Sequence, residues 1–588
     1  MTKPAALTDS LPAETANASP QVATPSLTVD RILAATAAAA CIGLVIYKFA
    51  LIRLLNVNWD EFFFLNHVYD LARGESALVL QGSYTHLFSW LLLLPGDEMQ
   101  QIVAARWVMV ALLGLTAWLV WRLARVWLEG FPALLAPFVY LSMMGVLEHG
   151  GSFRADSMLA PLSVASLLLL VGPGHRSRRD WLAGALLGAA FAVTVKIALF
   201  APLVVSAVLF RGSPVSALQR VDWQEAARTM VRLAIGSGVV ATVLIGLHWL
   251  AISPAPSDSL AGFAAASVRK TVLDLPWFPR FDYFARYFDW QPFSWIVIGF
   301  GAVIALRRRR FVIAALVLSL LPLAFYRNAF PYYYVVMLAP ASVLAGYAVA
   351  EIWTLVRPRA NAVVSTLLIS AIWAGFLIQG VRFASLLAFD DQVLQRQIVA
   401  AAHEIFPEPV NYIDRCGMVP SFRKVNFFMS TWGMENYRAR NQPFMPKALH
   451  EHQPAFVLWN TASLSPENTG AYGLLPEDRK LLGEYYLEYW GPIRVAGARR
   501  VLESSNPLTV TVPFAADYRL VTTEPVFVNG ELRTDGEVIA VPAEGTALAR
   551  APDSTTEVAS VTLFLASARP PPPAPARDIV QMPIFRGL

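Results

Sequence analysis

The chain has 588 residues, of which 56% are hydrophobic and only 15% charged, and its mean hydropathy is +0.48; a soluble globular chain carries about 25% charged residues. The 47 basic residues exceed the 42 acidic ones by only five, and they are mostly arginine, with seven lysines. This balance argues against an ordinary cytosolic enzyme, excludes a coiled coil or a fully disordered chain, and leaves no basic face for nucleic acid. The two cysteines, Cys41 and Cys416, are not expected to pair because Cys41 lies inside an apolar run, and no metal-ligand spacing of Cys or His is present.

Residues 1–30 are rich in Ala, Pro, Ser and Thr and read as a disordered, cytoplasmic N-terminus. The apolar run that follows is of full membrane length, so it reads as a retained helix rather than a cleaved signal. A spanning helix needs roughly 20 mostly apolar residues. Eleven runs qualify as candidates: 32–52, 102–121, 131–147, 157–171, 181–194, 197–210, 231–252, 293–306, 311–326, 331–350 and 362–382. The 181–210 stretch is divided at Lys196, because one span cannot hide that length or a central lysine.

With the N-terminus inside, every second loop is arginine-rich: Arg122 and Arg125; Arg176, Arg178 and Arg179; Arg211, Arg220 and Arg228; Arg307 to Arg310; Arg357 and Arg359. The intervening loops hold most of the acids, among them Asp60, Glu61, Asp97, Glu98, Glu148, Asp156, Asp258, Asp274, Asp282 and Asp289. The alternation supports an odd number of spans and puts everything after 383 outside, in the periplasm of a Gram-negative cell. The expected fold is therefore an α-helical polytopic membrane protein over 31–382, with about 11 transmembrane helices and an external loop at 53–101. Its SYTHLFSWLLLL segment is too short to span and lies at the membrane surface.

The extracytoplasmic region divides into an α/β part over 383–505, a β-rich part over 506–569 and a proline-rich tail over 570–588. PVNYID and PAFVLWN read as buried strands, LPEDRKLLGEYY as a helix, and VASVTLFLAS as a strand. PVFVNGELR is a hairpin turning at Asn529-Gly530. Trp432, Trp459 and Trp490 suit either core packing or sugar stacking.

Ionisable groups beside a membrane are costly and often functional. Asp60-Glu61 in NWDEFFFLNH is either a partly desolvated pair with raised pKa values or a hydrated pair capping the next helix. Arg154 and Asp156 in SFRADSMLA, with Ser157 beside them, are an interfacial pair or part of a site. Lys196 in AVTVKIALF is a snorkelling lysine or a fixed cation facing an anion. Arg327 lies on the outer side against the positive-inside trend, beside Tyr326 and Tyr332 to Tyr334, which an aromatic belt would explain equally well. His86 is the weakest candidate. All of these fall on one face, where acids and cations could build one site for an anionic, membrane-held substrate.

The chain resembles the polytopic C-superfamily glycosyltransferases that use polyprenyl-phosphate sugars, in particular glycosyltransferase family 39 with the protein O-mannosyltransferases and aminoarabinose transferases. The residues that carry the resemblance lie within about 30–350: NWDEFFFL, SYTHLFSWLLLL, Arg106, FRADS, VTVKIALF and YRNAFPYYYVVMLAP. It implies an inverting displacement at the anomeric carbon, with polyprenyl phosphate leaving. Asp60 is then the general base, Glu61 orients it or the acceptor, and Asp156 is a second acid. Lys196 and Arg327, with Arg154 and His86, would bind the donor phosphate, and Tyr332 and Tyr333 would line the donor groove. Implied partners are the polyprenyl-phosphate sugar, membrane lipid and an acceptor glycolipid, glycan or protein. No cofactor is implied, and a divalent metal stays open. The alternatives are a transporter or flippase of a lipid-linked glycan, against which stand one-sided charges and no internal repeat, and a surface-polysaccharide polymerase or ligase.

Overall fold

The computed structural model describes residues 27–76, 81–174, 176–211, 221–252, 277–356, 359–387, 391–503, 506–551, 558–574 and 583–585. Arg220, Arg357, Asp258 and Asp274 lie outside them.

All eleven apolar runs fall on helices, but their lengths differ. Among the described residues, five helices are long and apolar enough to cross a membrane: Val29–Leu51, Glu98–Ala124, Trp223–Leu250, Pro331–Val356 and Val363–Leu387. The pair Phe281–Trp290 and Pro292–Arg307, bent by 104°, makes a sixth if counted as one span. Gly130–Ser142, Ala155–Val171, Val195–Phe210 and Phe311–Phe325 are shorter apolar helices. The remaining run lies on Arg176–Val193, which opens in a polar arginine-rich turn.

Nine helices are labelled in chain order: α1 (Leu27–Leu51), α2 (Trp59–Ala72), α3 (Glu98–Ala124), α4 (Gly130–Ser142), α5 (Met144–His149), α6 (Ala155–Val171), α7 (Arg176–Val193), α8 (Ala201–Phe210) and α9 (Trp223–Leu250). The expected division of 181–210 is present. Helix α7 stops at Val193, Thr194 is extended, and its Oγ1 accepts from the Lys196 N–H at 3.4 Å before a 3₁₀ turn, Val195–Phe200, leads into α8. Helices α7 and α9 pack backbone to backbone. A Cβ at Gly184 would stand 2.8 Å from the Leu233 carbonyl oxygen, and one at Gly188 would stand 2.4 Å from that of Ser237. Small residues four apart allow this approach.

Outside the apolar bundle lie α2, the 3₁₀ segment Ser83–Leu93 that carries SYTHLFSW, and the region after 391. The latter is built on an eight-stranded sheet ordered β10-β7-β12-β5-β3-β1-β2, with β4 also on β5, and a four-stranded sheet ordered β6-β11-β8-β9. Strand β1 (Asn411–Ile413) runs parallel to β2 (Arg423–Lys424) and β3 (Phe456–Leu458). The remaining strands are β4 (Tyr486–Trp490), β5 (Ile493–Leu502), β6 (Leu508–Val510), β7 (Ala516–Thr522), β8 (Val526–Val528), β9 (Glu531–Arg533), β10 (Val538–Val541), β11 (Thr546–Arg550) and β12 (Ala559–Leu565). The four expected strands and the helix Pro476–Tyr485 are in place. Asn529 and Gly530 close β8 onto β9 with φ of 51° and 87°, the left-handed pair that a type I′ turn needs.

The boundary expected at 505 does not separate two sheets. Strand β5 pairs with β3 on one side and with β12 on the other, so one ladder crosses it. Nor does the external region stand apart from the bundle. A single buried apolar cluster runs from Phe62, Leu65, Phe88, Met99 and Ile102 through Ile398 and Ile405 to Phe456, Val495 and Val561.

Candidate active site at the mouth of an external cavity

Helix α2 opens with a capping box. Asn58 Oδ1 accepts from the Asp60 N–H at 2.9 Å, and Glu61 Oε1 accepts from the Asn58 N–H at 3.1 Å. Glu61 is fully buried and does more than cap. Arg106 donates to its two oxygens from Nε and Nη2 at 2.8 and 2.6 Å, and the Phe153 N–H donates at 2.8 Å. The other Arg106 donors reach the carbonyls of Ile52 (3.1 Å), Leu55 (2.7 Å) and Asn56 (2.9 Å), so every guanidinium N–H is used. The pair ties the outer end of α1 to the starts of α2 and α6. Burial pushes the Glu61 carboxyl up, but the Arg106 charge and the hydrogen bonds outweigh it and hold the group below its ordinary value. The rise expected for the acid pair is thus absent at Glu61, because an arginine shares its burial.

The neighbouring carboxylate points elsewhere. Asp60 pairs through Oδ2 with Arg154 Nη1, and Arg154 Nε reaches Asp156 Oδ2 at 3.4 Å. Asp156 Oδ1 in turn meets Lys196 Nζ at 3.5 Å. Acid and base alternate through four residues from four places in the chain: the first turn of α2, the N-cap and first turn of α6, and the turn after α7. The extended N-cap of α6 puts the Arg154 guanidinium over the Tyr332 ring, 3.6 Å from its centre. Lys196 lies 4.4 Å from the centre of the Tyr333 ring and 5.7 Å from that of Tyr332. The Arg154 side chain is 4% exposed and that of Lys196 20%. Among the described residues, Lys196 Nζ has Asp156 as its one hydrogen-bond acceptor, although an ammonium has three donors. It is the more exposed cation of this group and has donors to spare.

Two expected phosphate ligands lie outside the network. His86 Nε2 is 2.9 Å from His248 Nδ1. Burial, and then His248, hold its pKa below the ordinary histidine value, so a neutral ring stands where a cation is wanted. Arg327 is ion-paired with Glu435 of the external helix Thr431–Arg440, and its carbonyl accepts from Arg280 Nε at 3.0 Å. It joins the 326–334 loop to the external region.

Asp60, with its side chain 17% exposed, opens onto a cavity of about 1000 Å³. Its walls come from α2 (Trp59), the 328–332 segment (Asn328, Phe330, Tyr332) and the external region (Arg415, Trp432, Trp459, Asn460, Thr461), with Pro583 to Phe585 returning from the far end of the chain. Trp432 and Trp459 line this cavity; Trp490 does not, and its Nε1 donates instead to the Pro573 carbonyl at 3.1 Å. Arg415, Trp459 and Asn460 follow directly on the carboxyl ends of the parallel strands β1 and β3, where open α/β sheets hold their ligands. That rule was available from the strands legible in PVNYID and PAFVLWN and would have found them. Among the described residues, no group of three or more His, Cys, Asp and Glu side chains converges as a metal site; Arg154 lies between the two carboxylates of the network.

No protein-family model matches the sequence, and no curated protein matches it. Solved structures do resemble it. The apo oligosaccharyltransferase of Archaeoglobus fulgidus superposes with a TM-score of 0.54 at 12% identity, over 86% of this chain and 76% of that one. The same archaeal enzyme, AglB, in complex with an inhibitory peptide and a dolichol-phosphate, gives 0.50 at 12% identity over 90% and 96%. The apo ArnT of Cupriavidus metallidurans gives 0.44 at 14% identity over 78% and 97%. At such identities the likeness is one of fold: the chain has the fold of the archaeal oligosaccharyltransferase.

Proposed function

We propose that the chain is a membrane glycosyltransferase that moves a sugar from a polyprenyl-phosphate carrier to a hydroxyl on the extracytoplasmic side. The observation that carries this is that an open carboxylate at 60, lining a large cavity, is joined through Arg154 and Asp156 to an under-used cation at 196 on one connected network. Arg154 holds Asp60 by Oδ2; among the described residues Oδ1 accepts no hydrogen bond and is left for the acceptor. The acceptor O–H proton passes to Asp60 as its oxygen bonds to the anomeric carbon. The carbon–oxygen bond to the phosphate breaks, its electron pair leaves with the phosphate, and the anomeric configuration inverts. Lys196 meets the charge that grows on the phosphate, with Tyr332 and Tyr333 beside it. Asp156 and Arg154 fix the spacing between base and cation, and Glu61 positions Asp60 through the capping box. The archaeal neighbour that holds a dolichol-phosphate supports a lipid-phosphate carrier. The alternation of arginine-rich and acidic loops supports a bacterial inner-membrane protein with a cytoplasmic N-terminus and a periplasmic external region.

The test is Asp60→Asn in membranes supplied with labelled polyprenyl-phosphate sugar. Transfer is expected to fall by about 10²–10⁴-fold at unchanged protein level; full activity removes the assignment. A comparison of glycolipids and glycoproteins between a deletion strain and its parent then identifies the acceptor.

A further inference from the structure

Among the described residues, one cation in the cavity has no ion-pair partner. The loop after β1 is held by Asp414, whose carboxylate accepts from the N–H groups of Gly417 and Met418, both at 2.7 Å, and from Asn460 Nδ2 at 3.2 Å. Asn460 Oδ1 accepts from the Arg415 N–H at 3.0 Å. Gly417 adopts φ +85°, and a Cβ there would stand 2.9 Å from Asn66 of α2, so the loop is pressed against the bundle. This scaffold lays the Arg415 guanidinium over the Trp59 ring, 3.8 Å from its centre and one residue from Asp60. Among the described residues the Arg415 side chain makes no ion pair, and its buried Nε has no hydrogen-bond partner. Burial pushes the guanidinium below its ordinary range, and Cys416, Asp60 and Asp414 only partly offset this. The other arginine of the cavity, Arg494, is paired with Glu488. A half-buried, unpaired arginine is costly to keep, and its planar fork matches a carboxylate or a phosphate.

We propose that Arg415 binds an anionic group on the acceptor, which is accordingly an acidic saccharide. The inference rests on the transferase reading and deepens it. Lys196, against Tyr333, serves the donor phosphate at the far end of the Asp60–Arg154–Asp156 network. Arg415 faces Asp60 from the external region instead, so the base stands between the two cations. Trp59 and Trp459 offer ring faces for sugar stacking, and Asn460 and Thr461 offer polar groups beside them.

The test is binding to the intact protein in detergent, read by tryptophan fluorescence. Trigalacturonate is compared with galactotriose, and mannose 6-phosphate with mannose, at one fixed ionic strength. The wild type is expected to bind at least one acidic probe tenfold or more tighter than its neutral twin. Arg415→Met and Arg415→Gln abolish that preference, and Arg415→Lys keeps part of it. Undecaprenyl phosphate binding is unchanged in the Arg415 variants and weakened in Lys196→Met. No preference in the wild type, or a preference that survives in the folded Met or Gln variant, overturns the proposal. So does loss of undecaprenyl phosphate binding in the Arg415 variants, which would make Arg415 a donor ligand. Because no turnover is needed, failure here is distinct from an Asp60→Asn enzyme that remains active.

Discussion

Asp60 and Glu61 are adjacent in the chain and opposite in circumstance. Glu61 →Gln leaves the Arg106 guanidinium buried opposite a neutral amide, and breaking a buried pair costs about 3–5 kcal/mol. A correspondingly lower melting temperature is expected in detergent, whereas Asp60→Asn should lower it less, because the buried Arg154 keeps Asp156 as a partner. Lys196→Met should lower kcat by about 10²–10³-fold, the size of loss seen when one charge-stabilising donor is removed, and Lys196→Arg should recover part of it. The acid pair was legible as chemistry because charged residues beside apolar runs are rare. Which acid was structural was also written in the chain, as Asn58-x-x-Glu61, a capping spacing. The Arg106 bond to Glu61 was not: it joins residues 45 apart, and neither spacing nor hydropathy reports such a contact. The unpaired state of Arg415 is of the same kind, since it depends on what three separate segments leave uncovered.

At the scale of elements, apolarity located every helix of the bundle, and alternation with turn residues located the main strands. It did not give helix length, because breaks such as Thr194 and Met143 are single extended residues that hydropathy averages away. The 3₁₀ segment Ser83–Leu93 is held to α9 by the contact between His86 and His248. The folded pKa of His86 lies below the unfolded value of about 6.5. Its contribution to this contact is therefore present above that value and is lost as the pH falls through the depressed folded pKa. Protection of the amides of residues 83–93, taken relative to their intrinsic exchange rates, should fall on acidification below about pH 6.5. The pH dependence should disappear in His86→Phe; protection that stays constant in the wild type would contradict it.

For the whole molecule, the shared apolar cluster makes the external region part of the protein's body rather than a tethered module. Deleting residues 391–588 uncovers Phe62, Leu65 and Phe88 together. The shortened chain is expected to aggregate or to lose its thermal transition in detergent, whereas a tethered module would leave the bundle melting unchanged. The cavity was hidden from the sequence for the same reason: it belongs to the seam between two regions, each of which reads coherently alone.

The two ends of that seam are made at very different times. Asn56 Nδ2 donates to the carbonyl of Ile584, 528 residues downstream, and the Phe585 ring stands edge-on to Trp59. During translation the first wall leaves the ribosome long before the last. A nascent chain therefore carries Asp60 beside an unfinished pocket until Ile584 and Phe585 have been added.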